Sequence, residues 1–460
     1  MGRGSESRSS PVVVREIDAA PETILALVGA LPVDVRPAIL DSCAVQPADE
    51  GSLLIAAWDP FLVLDRNASR DPLEALAELL GEHAMDPLPG RLPAGAAVGA
   101  LSYDLGRRYE RLPATAVIDA PEFESSIALY DRLIVHDYTT GRTTIVSTGL
   151  PKRWPASRER AAARAEEAIA AIASAGELHR SNARSGTVRS NFDRASYSAA
   201  VVTAQQHIAA GDIYQVNLTQ RFTAELGDLS PIEVYLRLRE RNPAAFAAFL
   251  AEPGRHIVSA SPERFLRVEG RRAEMWPIKG TRPRGETADE DARLAAELLS
   301  SAKDHAENVM IVDLVRNDLG RVAEYGTVRA DEICALRALP TVFHLVSRVS
   351  AELRSDASGC DVLRAAFPCG SITGAPKIRA MQLIEEFEGI RRGVSMGAVG
   401  YASFDGSMDW SVAIRTLEIH GSTARFNVGG GVVADSDPDG EYDESLWKAR
   451  AIFEALGGDS

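Results

Sequence analysis

One lysine and two groups of carboxylates carry the strongest chemical pattern in this sequence. Lys279 lies in Trp276–Gly285 (WPIKGTRPRG), after the apolar stem Trp276-Pro277-Ile278 and before Gly280. Apolar neighbours disfavour the charged form of an amine, which frees its lone pair to act as a base or nucleophile. The glycines and prolines around it read as a rigid loop whose backbone can approach a ligand closely. Asp304 and Glu307 in Lys303–Val322 are three positions apart; so are Glu441 and Glu444 in Gly440–Lys448, with Lys448 one turn further on. On a helix each pair shares a face. Paired carboxylates repel unless a cation joins them, and with no Cys or His pair alongside, the favoured cation is hard: magnesium before zinc. Each pattern alone also describes a surface turn or a solvated helix face. Together they allow one magnesium ion to be clamped between two helices.

Other groups could hold an anion. Phe367–Lys377 (FPCGSITGAPK) and Gly429-Gly430-Gly431 read as loops with exposed backbone N–H groups, which bind carboxylates, and Ser371 and Thr373 add hydroxyls. Arg415 interrupts a strand-like run; an arginine within a core needs an anionic partner, either substrate or a structural carboxylate. His344, alone on the apolar segment Thr341–Val349, reads first as a core histidine.

These groups need a scaffold, and its elements come in clusters of strands and helices without strict alternation, which indicates α+β. Strands are expected at Ser52–Trp58, Ala97–Asp104, Ile127–His136, Ile213–Phe222, His256–Glu263, Phe265–Glu269, Trp410–Ile419 and Thr423–Val433. Helices are expected at Asp71–Gly81, Ala156–Gly176, Asp193–Ala210, Pro231–Arg241, Asp289–Leu319, Gly374–Phe387 and Glu441–Leu456. The polar stretch Glu177–Ser190 suggests a boundary near 185, dividing residues 1–185 from 186–460. With 460 residues and 45% hydrophobic content the chain is globular and needs no disulfide or metal staple. A net charge of −15 argues against nucleic acid as a partner. The four cysteines form no C-x-x-C pair, which gives zinc and iron–sulfur ligation no support and fits a reducing cytosol. The N-terminal MGRGSESRSS is polar and lacks a signal-peptide core, and no stretch reaches the ~18 apolar residues of a membrane span. A soluble, cytoplasmic protein with no membrane association is expected.

The order of Gly211–Phe222 (GDIYQVNLTQRF), Ser259–Phe265 (SASPERF), Pro277–Gly285, Asp304–Gly320, Phe367–Lys377, Gly397–Tyr401 and Gly429–Lys448 resembles the chorismate-utilising enzymes, over roughly residues 195–455. The N-terminal part resembles the aminating branch of that family through Ile39–Ser42 and Ala97–Pro113. The resemblance implies large antiparallel sheets forming a core sandwich with helices packed outside. It implies magnesium held by Glu307 and Glu444, with Glu441 and Asp304 alongside, and chorismate as substrate. Lys279 would attack ring C2 while Glu263 protonates the departing C4 hydroxyl. Arg415 and Gly429, Gly430 and Gly431 would hold the enolpyruvyl carboxylate; Gly280, Thr281, His344, Ser371 and Lys448 would complete the substrate contacts. Gln215 stands where the water-adding branch has a lysine, and Lys279 where the C2-aminating branch usually has alanine. The resemblance therefore favours C4 amination, which makes a precursor of 4-aminobenzoate and folate. Asp304 stands where Glu is common, Gly430 where Ala is frequent, and Ser395 where several relatives have an aromatic residue. No Gly-x-Cys-x-Gly nucleophile elbow is present, so the ammonia is expected from a separate glutamine amidotransferase subunit. Ser42 falls where relatives have a tryptophan pocket. The alternatives are C2 amination, or a catalytically inactive scaffold for a glutaminase.

Overall fold

The computed structural model describes residues 12–44, 52–64, 70–121, 123–178 and 180–457; the polar run Met1–Ser10 lies outside them. Among the described residues the strands form two antiparallel sheets, one of 12 strands and one of 10. Each sheet takes strands from both sides of residue 185. Ala38–Asp41 pairs with Phe246–Glu252 in the first, and Ala96–Leu101 with Ala398–Ser403 in the second.

The sheets face each other across small side chains, among them Ala38, Ala57, Ala96, Val98, Ala128, Ala248, Val399 and Ala413. Small residues allow close approach of two twisted sheets at interior packing density. Helices cover the outer faces. Pro21–Ala30, Ala156–Ala173, Pro231–Arg241 and Pro438–Leu456 pack on the first sheet, and Pro72–Glu82, Ala302–Gly320 and Gly359–Ala366 on the second. This is the α+β sandwich expected.

Several elements depart from the sequence reading, and most departures place charged side chains. Ile127–His136 is two strands, Ser125–Tyr130 in the second sheet and Arg132–Asp137 in the first. The chain crosses between them at buried Asp131, which takes Arg160 at 3.2 Å and Arg164 at 3.3 Å. Trp410–Ile419 likewise divides into Met408–Val412 and Thr416–His420, in different sheets, with Arg415 at φ 49° in the crossing. A third crossing, between Arg255–Ser261 and Arg264–Glu269, carries Glu263. The last two crossings brace each other. Val412 N–H donates to the Glu263 carbonyl (3.0 Å) and Ala260 N–H to that of Arg415 (3.1 Å).

Asp289–Leu319 is not one helix but two, Ala288–Ser300 and Ala302–Gly320. Ser301 is extended between them, and its hydroxyl caps the second helix by accepting from Asp304 N–H at 3.2 Å. The break sets Asp304 and Glu307 in the first turns of a new helix. The expected loop around Lys279 is instead a strand, Ile278–Pro283, paired with Val342–Glu352 so that Thr281 stands opposite His344. The register breaks at Gly280, whose φ is +84°, and a Cβ there would lie 3.0 Å from Leu298 and 3.1 Å from Asp304. The missing side chain lets this strand press against the helix that carries the carboxylates. The three glycines also stand on a strand, Thr423–Val432, opposite Thr219, Leu218 and Asn217.

Buried Arg392 joins these pieces. It donates to Glu388 at 2.9 and 2.6 Å, to the Ile372 carbonyl at 2.8 Å and to that of Asn217 at 2.7 Å. Glu388 in turn accepts the N–H of Thr219 at 2.7 Å. The Gly370–Ile372 turn is thereby fastened to the strand Gln215–Glu225. Arg392→Met strands a buried carboxylate and is expected to lower stability by about 3–5 kcal/mol in urea denaturation. A loss below about 1 kcal/mol would contradict this reading of a buried ion pair.

Candidate active site

The lysine strand, the Gly370–Ile372 turn and the crossing at Glu263 meet at one place. Lys279 Nζ donates to the Ser371 carbonyl at 3.2 Å. Glu263 is 4% exposed, and burial pushes its carboxyl up to about 7. The Ser371 hydroxyl, the Lys279 charge and the Ile278 N–H oppose that rise. Its Oε1 is buried with no hydrogen-bond partner. A carboxyl in that setting holds a proton near neutral pH and has one oxygen free to deliver it.

Next along the same strand, Thr281 Oγ1 and His344 Nδ1 are 2.9 Å apart. Burial first, then the Arg415 charge, presses the imidazole down to about 3, while the Gly280 backbone opposes the fall. His344 is therefore a neutral ring, and its buried Nε2 has no partner. Arg415, at the strand crossing, makes no ion pair among the described residues, and burial alone lowers its pKa. A half-buried guanidinium with no ion pair among the described residues is free to receive an anion.

The carboxylates come from two helices. Glu307 is raised by burial; Lys279 and Lys303 oppose this, while Asp304 and Glu444 add to it. Glu441 is also raised by burial, against the Ser436 hydroxyl that donates to it at 2.6 Å, and Glu444 adds to the rise. Glu444 is lowered, chiefly by Lys448, whose Nζ lies 2.7 Å away and also donates to the Gly429 carbonyl at 3.1 Å. A Cβ on Gly430 would stand 2.9 Å from Glu441 Oε2 and 3.5 Å from Glu444 Oε1, so the glycine leaves a cradle beside these oxygens. Among the described residues no three His, Cys, Asp or Glu side chains converge as the ligands of one ion do. Asp304 faces Arg282 at 3.2 Å and is the least available of the four.

Lys279, Glu263, Ser371, Gly431, Glu307 and Glu444 are thus coupled through contact or charge, with Thr281 and His344 on the same pair of strands. Ser42 belongs to another place. Its hydroxyl is 2.7 Å from that of Ser52, and it lines a cavity of about 690 Å³ between the sheets with Phe246, Arg264 and Tyr401. Two residues of the lysine site carried no site role in the sequence reading. Gln215, read there only as a branch marker, is 1% exposed, and both polar atoms of its amide are unpartnered. Lys303 reaches Glu307 at 3.9 Å. Its spacing of four from Glu307 was the available signal.

The family sequence signature described as chorismate binding enzyme matches residues 40–454, and the chain belongs to that family of chorismate-utilising enzymes. It is 40% identical over 392 residues to aminodeoxychorismate synthase component 1 of Klebsiella aerogenes, covering 85% of this chain and 84% of that protein. It is 38% identical over 397 residues to anthranilate synthase component 1 of Streptomyces coelicolor, covering 84% and 77% respectively. The crystal structure of anthranilate synthase component I from Streptococcus pneumoniae superposes with a TM-score of 0.78 at 30% identity, over 87% of this chain and 92% of that one. No helix among the described residues is long and apolar enough to cross a membrane.

A Cβ on Gly431 would fall 2.0 Å from Gln215 Nε2 and 3.3 Å from Lys279 Nζ. Gly431→Ala must therefore push the amide and the lysine aside. It is expected to lower kcat/KM for chorismate by about tenfold or more while the melting temperature stays within a few degrees. Unchanged turnover would show that the amide and the amine need no fixed placement.

Proposed function

We propose that the chain aminates chorismate at C4, giving 4-amino-4-deoxychorismate. The observation that carries this reading is Lys279 Nζ held at the Ser371 carbonyl between a protonated Glu263 and the carboxylates Glu307 and Glu444. In its neutral, deprotonated form the Lys279 amine adds to ring C2, the ring double bond shifts, and the C4 hydroxyl leaves as water with the proton of Glu263. Ammonia then adds at C4, the bond from C2 to Lys279 breaks, and the surplus proton returns to Glu263. The sum is chorismate and ammonia to the amino product and water, with the enolpyruvyl group retained. Two allylic displacements place nitrogen on C4, which a single attack at C2 would not.

Arg415 and the glycine strand Gly429–Gly431 fit the enolpyruvyl carboxylate, while Gly280, Thr281, His344 and Ser371 line the ring. The neutral His344 offers Nε2 without adding a second charge beside Arg415. The hard oxygen donors and the cradle at Gly430 fit magnesium, which Glu307 and Glu444 would hold with Glu441 and Asp304 alongside, and Lys448 at the rim. When bound it supplies Lewis-acid charge for the ring carboxylate.

The component 1 names of the relatives fit a two-part enzyme, and we place this chain with a separate glutamine amidotransferase subunit that supplies the ammonia. The product would serve 4-aminobenzoate and folate formation in the cytoplasm. The cavity beside Ser42 would take tryptophan as a structural or regulatory ligand. C2 amination is the competing reading, because anthranilate synthases match at comparable identity.

With chorismate, magnesium and ammonium, chromatography is expected to show 4-amino-4-deoxychorismate, and Lys279→Ala to lose it by at least about a hundredfold. Fluorescent anthranilate formed without a lyase would replace this reading by C2 amination. The pH profile is a second check. Glu263 carries its proton below about 7 and loses it above. The value of kcat/KM for chorismate should therefore fall as pH rises through that region, and Glu263→Gln should remove the limb along with most of the rate. Retention of the same limb by the variant would exclude Glu263 as the acid.

A further inference from the structure

The carboxylates on the two helices are held with lysines among them, and the three lysines differ in how they are tied. Lys448 is anchored twice, at 2.7 Å to Glu444 and 3.1 Å to the Gly429 carbonyl. Lys279 is anchored to the Ser371 carbonyl at 3.2 Å. Lys303 has one long contact, 3.9 Å to Glu307 Oε1, and its side chain is 53% exposed. Its ammonium also acts electrostatically on Glu441 and Glu444, so one half-exposed charge acts on carboxylates from both helices.

Its place in its own helix is unfavourable. Ser301 is the N-cap, so Lys303 occupies the first turn of Ala302–Gly320, where the helix dipole favours acidic groups and disfavours a cation. The helix dipole gives no reason for a lysine there; Glu307 one turn on and Glu441 and Glu444 on the other helix do. A contact near 4 Å is also the spacing of an ion pair, whereas magnesium requires oxygens at roughly 2.0–2.1 Å. That is in keeping with carboxylates that do not converge as ligands among the described residues.

We propose that Lys303 is the resident counter-ion of the carboxylate cluster and swings out to solvent when the divalent cation enters, so that its charge sets how tightly that cation binds. This rests on the magnesium reading given above. A fixed positive charge within a few ångströms of a dication weakens binding, and a half-exposed lysine can relieve most, but not all, of that repulsion by moving. Lys303 is thus a positioning residue. It keeps the two helices from repelling in the metal-free chain and has to yield before the carboxylates close on the ion.

Calorimetric titration of the full ligand-free chain with magnesium chloride tests this without reference to turnover. Lys303→Met is expected to bind magnesium about three- to tenfold more tightly than the unaltered chain. Lys303→Arg, which keeps the charge, should match the unaltered chain within about twofold. In thermal melts, metal-free Lys303→Met should melt lower, and magnesium should raise its melting temperature by more than it raises that of the unaltered chain. Lys303→Gln supplies a second neutral side chain should the methionine variant fail to fold. Equal or weaker magnesium binding by the neutral variants would overturn the proposal while leaving the metal reading in place. Absence of saturable binding to the unaltered chain would overturn both.

Discussion

Opposite charges confined to one small volume set the terms for the rest of this molecule. Burial lifts Glu263, Glu307 and Glu441, and lysine charge opposes that lift at Glu263 and Glu307 and helps to depress Glu444. The outcome differs from one side of Lys279 to the other. At Glu263 desolvation wins, because the carboxyl sits at a buried strand crossing and one of its oxygens has no partner. At Glu444 lysine charge wins, chiefly that of Lys448 at 2.7 Å, while at Glu307 and Glu441 burial still prevails. Two carboxyl environments pushed apart in this way divide acid work from cation binding, and Lys279 lies between them.

The sandwich supplies these environments through its irregularities. Strand interiors need continuous pairing; a charged side chain finds room where the chain leaves one sheet for the other. Asp131, Glu263 and Arg415 each mark such a crossing, and the last two are hydrogen-bonded to each other's neighbouring strands. Gly280 removes a side chain where the lysine strand meets the helix of Asp304, and Gly430 and Gly431 do the same where the last strand faces the carboxylates and Gln215. Arg392 and Glu388 then hold the Ser371 turn in register with the strand of Gln215.

Much of this was legible in the sequence, for identifiable reasons. The α+β class followed from clustered strands and helices, and the helix expected from Glu441 followed from its acidic first turn, although it begins three residues earlier at Pro438. The i, i+3 carboxylates were visible because helical spacing is local. The crossings were not legible: Ile127–His136 and Trp410–Ile419 are apolar enough to read as single strands, and only tertiary pairing divides them. Ser301 was hidden inside a helical pattern because its cap needs only one extended residue. The lysine segment read as a loop because Gly and Pro signal turns, yet pairing with Val342–Glu352 overrides that signal, with one irregularity at Gly280. Gln215 has a role defined by residues far away in sequence, which no local pattern reports; for Lys303 the local spacing reports Glu307 but not the distant Glu441 and Glu444.

The covalent role of Lys279 has a single sharp readout. The chain is incubated with chorismate and magnesium in the absence of ammonia, quenched, and analysed by intact-mass and peptide-mapping mass spectrometry. A nucleophilic Lys279 gives a species heavier by chorismate less water, mapped to the peptide that holds Lys279 and absent from Lys279→Ala. An unmodified Lys279 peptide throughout, while added ammonia still yields the C4-aminated product at the normal rate, would mean that the amine never bonds to the ring.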